Sequence, residues 1–454
     1  MTRAGAALAA VALVSSALLA GASCAGRAPA ASPTEGARTA GRTTTVSTGV
    51  TDEGGRPVRV ALATGAAAPR LSATGEWRLY GDAGRLLLAR GAGGVAWTIE
   101  RRGDELRAVG PGGASPWRAG PLIARPAAGS AFLVHGGKRW RGELWLWPTA
   151  GGGVSVVNHL GVEDYLRGVV PLELNAFGAA ESSALEAQAV AARSYTFSRL
   201  AEWLPRAEAQ ARAALPFDLR PTVQDQVYGG VDAEHPASDQ AVRATRGLVL
   251  RYGGAVVNAP YSSTCGGHTA GARELWGGGA VEPYLQGVSD RVPGTDRAYC
   301  EAGGRFRWSR DWDASALQAV LERYLRRYAG GAEAGGTGAP VGAIRALGIV
   351  DRGASGRVLR LAVTTDAGRF VLRGNDIRFA VRTLGGEILP STYFSVDAVA
   401  GSDGRLARVT LRGNGNGHGV GMCQWGAIGR ARAGQDFRAI LQAYFPGTAV
   451  EPAE

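Results

Sequence analysis

The sequence predicts an α+β protein, with a β-rich N-terminal part followed by a mixed α/β domain that contains a few helices. Its 454 residues are 45% hydrophobic and 20% charged, which is enough apolar material for one large or two medium cores. The 69 glycines separate short β-branched or aromatic runs and follow no Gly-X-Y period, which indicates many tight turns between strands. Helical patterns replace these runs after about residue 158.

Residues 1–24 have the pattern of an export signal. Arg3 supplies a positive start, and the apolar stretch from Ala6 to Ala22 ends in small residues. Cleavage after Ala22 fits this pattern, and so does cleavage before Cys24, as in a lipoprotein. In the second case, acyl chains on Cys24 would anchor the mature protein to a membrane. We therefore expect an exported protein of the cell envelope or periplasm, either free or lipid-anchored.

The next two segments are a linker and a β-rich domain. Residues 25–48 are rich in Ala, Pro, Ser, Thr and Gly without periodicity, which is typical of a flexible linker. Within residues 49–150, strand-like runs alternate with turn signals, which predicts a small β domain. These runs lie at residues 58–62, 77–80, 85–88, 96–99, 131–134 and 142–147.

Residues 151–450 are predicted to form one mixed α/β domain. A strand at 154–158 precedes a helix that runs to about Trp203, and Ser183 and Glu186 have the spacing of a capping box at its start. Further strands are predicted at 247–250, 255–258 and 357–363, a loop at 329–340, and a closing helix at 427–444.

Composition and motif searches exclude several functions. The net charge of +11 suits an acidic partner, but zinc-finger spacings, RNP-like runs and Lys/Arg blocks are absent, so nucleic acid is not the expected partner. The sequence also has no His-Glu-x-x-His, Gly-x-Ser-x-Gly or Walker motif. The Gly-rich run 413–421 has no lysine and lies late in the chain, which argues against nucleotide binding.

Three separated segments carry the functional signal. The first is Tyr-Leu-Arg-Gly-Val-Val-Pro-Leu-Glu-Leu-Asn at 165–175, followed by an Ala-rich stretch ending in Ala-Ala-Arg-Ser-Tyr at 195. The second has Gln-Val-Tyr-Gly-Gly at 226–230 and Tyr-Ser-Ser-Thr-Cys-Gly-Gly-His-Thr at 261–269. The third is Gly-His-Gly-Val-Gly-Met-Cys-Gln-Trp-Gly-Ala at 417–427. In this order they resemble the family of stage II sporulation protein D and the related amidase-enhancer proteins, over roughly residues 58–448.

The resemblance implies a sporulation-protein-D-like domain at 151–450 and a peptidoglycan lytic transglycosylase whose catalytic acid is Glu173. Leu174 and Asn175 stand where the sporulation proteins have Met and Pro. The apolar neighbours Val169, Val170 and Leu174 would bury this carboxyl group in part, and burial raises a carboxyl pKa toward the range of a general acid. One carboxylate is sufficient when the substrate's own C6 hydroxyl attacks and a 1,6-anhydro ring forms.

Other residues of the three segments are predicted to bind substrate. Arg193 has the planar fork that binds a carboxylate, with a structural ion pair as the alternative. For His418, a structural histidine is the alternative to a ligand contact. Loop hydroxyls that cap backbone groups are the alternative for the second segment. The predicted substrate-binding residues are Gln188, Arg193, Ser263, Thr264, Gly266, Gly267, His418 and Gln424.

Three cysteines remain beyond the export signal. In an oxidising compartment the natural disulfide joins Cys265 and Cys300 and leaves Cys423 free. A structural zinc site of Cys265, His268 and Cys300 is the competing interpretation, with no cofactor required for catalysis.

Three functions therefore stay open. The first is an enzyme that cleaves peptidoglycan glycan strands. The second is a non-catalytic module that binds peptidoglycan and activates a cell-wall amidase, and an exposed Glu173 with an unshifted pKa would favour it. A structural envelope lipoprotein is a third alternative.

Overall fold

Thirteen strands make up the first half of the described chain. The computed structural model describes residues 55–200, 209–210, 215–277, 282–329 and 340–453. The predicted export signal and linker lie outside these residues, as does almost all of the loop predicted at 329–340. The strands are β1 Pro57–Ala66, β2 Arg70–Ala73, β3 Trp77–Gly81, β4 Leu86–Gly91, β5 Trp97–Arg102, β6 Glu105–Gly110, β7 Gly113–Ala114, β8 Arg118–Ala119, β9 Leu122–Pro126, β10 Leu133–His135, β11 Lys138–Trp140, β12 Glu143–Pro148 and β13 Val154–Gly161.

These strands form two antiparallel sheets. One has the order β1-β13-β12-β9-β3-β4, and the other has the order β11-β10-β2-β5-β6-β7, with β8 also paired to β6. In β3, buried and half-buried residues alternate, so that Trp77 and Leu79 point into the core. Trp77 meets Trp97 of the second sheet edge-on, with ring centroids 6.1 Å apart. The β-rich N-terminal part predicted from the strand-like runs is therefore present.

The predicted boundary at residues 150/151 falls in the turn between two paired strands. Strand β13 pairs with β12 on one side and with β1 on the other, from Pro57 opposite Gly161 to Ala66 opposite Val154. Every residue of β13 is buried. The last strand of the β-rich part thus leads directly into the first helix of the segment that carries the motifs.

The helices whose bounds the structure gives between residues 162 and 244 number four, and the third is the longest of them. They are α1 Val162–Arg167, α2 Val170–Glu173, α3 Ser182–Arg199 and α4 Pro236–Ala244. Residues on all faces of α3 are buried, and its many alanines let neighbouring elements approach closely. The predicted capping box is wrong: a 3₁₀ turn over Ala179–Glu181 leads into α3, and no side chain caps it. Ser183 is therefore already inside the first turn.

The remaining elements complete a mixed α/β arrangement. The strands are β14 Leu248–Tyr252, β15 Ala255–Val256, β16 Tyr261–Ser262, β17 Arg307–Asp313, β18 Ile344–Arg352, β19 Val358–Thr365, β20 Gly368–Arg373, β21 Phe394–Ala400, β22 Leu406–Asn414, β23 Met422–Cys423 and β24 Ala449–Pro452. The helices are α5 Ala272–Trp276, α6 Ala314–Tyr328, α7 Asp376–Ala380, α8 Gln424–Arg432 and α9 Phe437–Tyr444. Within the described ranges, no helix combines the length and apolar character needed to cross a membrane.

The closing helix predicted at 427–444 is two helices. The chain leaves α8 through Gly434, whose φ of +83° lies in the left-handed region. Asp436 then starts α9 by accepting a hydrogen bond from the amide of Ala439 at 2.8 Å. The apolar periodicity continues across this break, which is why the sequence pattern predicts a single helix.

A second hydrophobic core lies within residues 308–411. It includes Leu317, Val363, Phe370 and Leu411 and is distinct from the large core shared by the β-rich part and α3. This segment enters through β17 and leaves through β22, which pair with Arg307 opposite Asn414. The two ends of this segment are therefore neighbours. The second and third sequence motifs meet beside these ends, where Thr264 pairs with Asn416.

Candidate functional site

Glu173 ends the four-residue helix α2, and its side chain is partly exposed. Close packing at Gly168, two residues before this helix, fixes its position. The amide of Gly229 donates a hydrogen bond to the carbonyl of Gly168 at 3.1 Å. A Cβ on Gly168 would lie 2.6 Å from the Tyr228 ring and 3.0 Å from the carbonyl oxygen of Gly230. The Gln-Val-Tyr-Gly-Gly motif thus fixes the chain that carries the glutamate.

The same motif contacts the carboxyl group directly. The amide of Val227 donates a hydrogen bond to Oε1 of Glu173 at 2.8 Å. The preceding residue, Gln226, is fully buried and anchors this amide. Its Oε1 accepts hydrogen bonds from the hydroxyls of Tyr165 at 3.1 Å and Thr196 at 2.9 Å. A backbone donor is therefore held at a defined position against the carboxyl group.

Two predicted glutamines from distant parts of the chain complete this side of the site. The side chain of Gln424, the first residue of α8, lies close enough to Glu173 to lower the pKa of its carboxyl group. Its Nε2 also lies 3.4 Å from Oε1 of Gln188 on α3, which has no solvent-exposed surface. Within the described chain, Nε2 of Gln188 has no hydrogen-bond partner. The structure thus brings together Glu173, Gln188 and Gln424, as expected if they share one site.

Burial sets the acidity of Glu173. Loss of solvation raises its pKa above the ordinary value, and this effect outweighs the hydrogen bonds from Val227 and Gln424, which lower the pKa by stabilising the carboxylate. Within the part of the chain that the structure describes, no acidic side chain contributes to this shift. The site therefore has one glutamate that keeps its proton to higher pH and two donors that stabilise it once ionised.

The loop after β16 packs against the Gly-rich loop that precedes β23. The backbone of Thr264 exchanges two hydrogen bonds with Asn416, at 2.9 and 2.8 Å. Gly266 has a φ of +80°, and a Cβ there would lie 2.8 Å from Asn414. The side chain of Thr264 is buried, whereas Ser263, Gly266 and Gly267 are partly exposed. This close packing and the positive φ explain why position 266 is a glycine. Among the two hydroxyl side chains at 263 and 264, that of Ser263 is the accessible one.

His418 lies on the Gly-rich loop beside an aromatic residue. Its ring centroid is 5.5 Å from that of Trp276, which is 47% exposed. Nδ1 accepts a hydrogen bond from the amide of Val420 at 3.1 Å. Burial lowers the pKa of His418 to about 4, with further lowering by Arg378 and Arg357, so the ring is neutral at physiological pH.

Arg193 is fully buried in an ion pair with Glu163. It has no exposed surface, and its guanidinium donates to both carboxylate oxygens of Glu163, at 2.9 and 2.7 Å. It also donates to the carbonyl of Leu248 at 3.0 Å. The structural ion pair, the alternative to carboxylate binding, is what the structure contains, because α3 buries position 193 between α1 and β14.

The cysteines also depart from the prediction. Cys265 and Cys300 lie with their sulfurs 3.5 Å apart and are not bonded. Cys423, predicted to be spare, joins them, and so does Asp290. His268, the proposed third zinc ligand, is not in this cluster, and its Nδ1 lies 2.6 Å from the carbonyl of Thr269.

Sequence reasoning left several site residues without a role. Gln226 and Val227 belong to the second motif, but nothing in their side-chain chemistry indicated that a backbone amide would contact the acid. Tyr261 accepts a hydrogen bond from Nε2 of Gln226 at 3.0 Å and extends the buried network. No sequence signal pointed to Trp276 or Asp290, since each acquires its neighbours through the fold.

The fold and site define an α+β protein organised around one partly buried glutamate whose acidity is set by loss of solvation. The family model described as stage II sporulation protein matches residues 150–252, which include α1 to α4 and Glu173. A second model, a domain of unknown function, matches residues 297–421 and so includes the segment with the second core. The chain belongs to the stage II sporulation protein D family.

Relatives in two organisms match most of the motif-bearing region. An uncharacterized protein of Brachyspira hyodysenteriae is 32% identical over 292 residues, covering 64% of this chain and 67% of that protein. Stage II sporulation protein D of Bacillus subtilis is 25% identical over 304 residues, covering 66% of this chain and 76% of the relative. The amidase enhancer of the same organism is 27% identical over 321 residues, covering 62% of this chain but 40% of the enhancer.

Proposed function

We propose that this protein is a peptidoglycan lytic transglycosylase, exported to the cell envelope, in which Glu173 is the single general acid and base. Membership of the family supports a cell-wall-related role. The observation that carries the enzymatic assignment is a partly exposed glutamate with a raised pKa, which accepts a hydrogen bond from the Val227 amide and lies near the Gln424 side chain. An anchor through Cys24 would place the enzyme at a membrane facing the wall.

In the first step, protonated Glu173 donates its proton to the glycosidic oxygen, and the bond from that oxygen to C1 breaks. Positive charge develops at C1 and the ring oxygen. In the second step, the C6 hydroxyl of the same sugar attacks C1, and the ionised carboxylate takes the hydroxyl proton. The products are a free hydroxyl on one fragment and a 1,6-anhydro end on the other, and Glu173 is protonated again.

The donors around Glu173 suit the interval between these steps. The Val227 amide and the Gln424 side chain stabilise the carboxylate that exists after the first transfer. Burial favours the protonated form of the carboxyl group beforehand. Burial raises the pKa and the nearby donors lower it, and this balance lets one residue serve as acid and then as base. Hydrolytic glycosidases use a second carboxylate to activate water or to attack C1, whereas the internal hydroxyl supplies the nucleophile here.

The test is a digest of purified glycan strands, with and without stem peptides, by the wild type and by Glu173→Gln, followed by mass spectrometry. Wild-type protein should release 1,6-anhydro-muramyl ends, and the variant should lower the rate by at least about 100-fold. Glu186→Gln is the matched control, because Glu186 is also partly buried with a raised pKa but lies on α3. This control should cleave at the wild-type rate. Reducing ends in place of anhydro ends would show a hydrolase and contradict the mechanism.

A second candidate function is activation of a cell-wall amidase without catalysis, which the name of the amidase-enhancer relative favours. The two functions differ in their dependence on Glu173. Purified amidase should be incubated with peptidoglycan and either the wild type or Glu173→Gln. Equal stimulation by both proteins, together with no strand cleavage by either, would support the activator and reject the transglycosylase.

A further inference from the structure

A buried cluster of three thiols and one carboxylate lies behind the site. It consists of Cys265 after β16, Asp290, Cys300 in the 3₁₀ turn Tyr299–Ala302, and Cys423 in β23. All four residues are buried, and their ligand atoms lie within 4.8 Å of one another. The sulfur of Cys265 is 3.5 Å from that of Cys300 and 3.4 Å from Oδ2 of Asp290.

We propose that Cys265, Asp290, Cys300 and Cys423 bind one structural zinc ion. Zinc prefers four ligands in a tetrahedron, with bonds of about 2.3 Å to sulfur and about 2.0–2.2 Å to a carboxylate oxygen. These bond lengths place neighbouring ligand atoms about 3.5–3.8 Å apart. The separations around Cys265 are close to this spacing, so small side-chain adjustments would close the tetrahedron. Four protein ligands leave no open position, which is typical of a structural ion.

Groups around the cluster hold two of the ligands in place. The sulfur of Cys423 accepts hydrogen bonds from the amides of Cys265 at 3.1 Å and Gly426 at 3.3 Å. Oδ1 of Asp290 accepts from the hydroxyl of Tyr444 at 2.6 Å, and Arg430 lies 3.4 Å away. Its other oxygen, Oδ2, is thereby directed at the thiols. Such outer contacts commonly orient metal ligands.

The surrounding charge also fits a bound ion. Three thiolates and one carboxylate around a divalent cation leave excess negative charge. Arg430 lies beside Asp290, and the fully buried Arg357 donates to the carbonyl of Cys265 at 2.7 Å. In the described chain, Nε and Nη1 of Arg357 have no hydrogen-bond partner.

A Cys265–Cys300 disulfide is the competing explanation. It would use two of the sulfurs but would leave Cys423 and Asp290 packed against it without a function. The zinc ion accounts for all four residues. It would also join three separated segments of the chain, and Cys423 directly precedes Gln424, which contacts Glu173. The ion would therefore stabilise one wall of the site, whatever reaction that site performs.

The first experiment uses wild-type protein that the expression host has exported, purified and washed with a mild chelator to remove loosely bound metal. Zinc per chain is measured by mass spectrometry of the metal, and the unfolded, unreduced protein is alkylated and mapped by peptide. One zinc per chain, with Cys265, Cys300 and Cys423 all alkylated, is the expected result. A cross-linked Cys265–Cys300 peptide without zinc overturns the proposal. Three free thiols that take up no zinc when it is added also overturn it.

Variants test the geometry independently of folding yield. Tyr444→Phe removes the hydroxyl that orients Asp290, and zinc transfer to a competing chelator should rise by about 10-fold or more. Tyr299→Phe is the matched control, since its hydroxyl contacts Gln435 at 3.3 Å and not the cluster, and its zinc retention should equal that of the wild type. Equal retention by both variants would contradict the assigned role of Tyr444.

In cobalt-loaded wild-type protein, thiolate-to-metal charge-transfer absorption should appear and should weaken in Cys423→Ser. Unchanged absorption there would exclude Cys423 as a ligand.

Discussion

Replacing Arg193 by methionine is expected to destabilise the folded chain by about 3–5 kcal/mol, because it leaves a buried carboxylate without its partner. Arg193 has no exposed surface and binds both oxygens of Glu163. After the substitution, Glu163 keeps an amide donor from Gly247 at 3.2 Å. Methionine fills much of the same volume, so a cavity contributes little.

The magnitude is measured by urea unfolding followed by tryptophan fluorescence. Arg412→Met is the matched control, since Arg412 pairs with Asp397 at 3.2 Å but both side chains are more than 60% exposed. Exposed pairs contribute little, so the control should change the free energy of unfolding by less than about 1 kcal/mol. Adding Glu163→Leu to Arg193→Met should recover most of the loss, since a buried pair replaced by apolar groups is often tolerated.

The same variant separates the structural role of Arg193 from the carboxylate-binding role predicted from the sequence. A ligand-binding arginine would leave the unfolding midpoint unchanged and weaken the binding of glycan strands that carry stem peptides. That pattern, with a stability change below about 1 kcal/mol, would refute the structural role of the Arg193–Glu163 ion pair.

Three further outcomes are expected. Because burial raises the pKa of Glu173 in the folded protein, ionising this group destabilises the wild type at pH values above the raised pKa and has no effect below the pKa of the unfolded chain. The Tm of Glu173→Gln minus that of the wild type should therefore increase between pH 4 and pH 8. A Tm difference that stays constant with pH would contradict the pKa shift. Gly168→Ala should lower stability by about 1–3 kcal/mol and reduce strand cleavage, since its Cβ meets the Tyr228 ring; calorimetry and the digest check both, and a wild-type Tm would contradict the packing argument. Gly419→Ala places a Cβ against the buried Arg357 guanidinium at a φ of +80°, so it should lower the Tm by several degrees. Gly404→Ala is the control: its φ of +74° is similar, but no atom lies within 4 Å of the added Cβ, so only the backbone strain should lower its Tm.

Local sequence patterns predicted most elements of the fold. The runs at 58–62, 77–80 and 357–363 correspond to β1, β3 and β19, because alternating apolar residues and turn glycines act over short distances. Helix ends were less predictable. The break between α8 and α9 depends on Gly434 and Asp436, whose effect competes with an apolar pattern that continues through them.

The candidate site was predictable where a residue type implies chemistry. Glu173, Gln188 and Gln424 were named from their motifs, and the structure places them together. The Val227 amide was not predictable, because any residue supplies a backbone donor and only the fold aims it. Asp290 carries the same difficulty, since it approaches Cys423 from more than a hundred positions away.

The segment with the second core has a consequence for how this family can diversify. Its first and last strands are neighbours, with Arg307 opposite Asn414, and paired residues in antiparallel strands lie about 4.5–5.5 Å apart. Evolution can therefore lengthen, shorten or exchange what lies between them while the flanking motifs keep their relative positions. Substitutions should be tolerated least where the segment reaches back to the motif loops, as Arg357 does beneath Gly419.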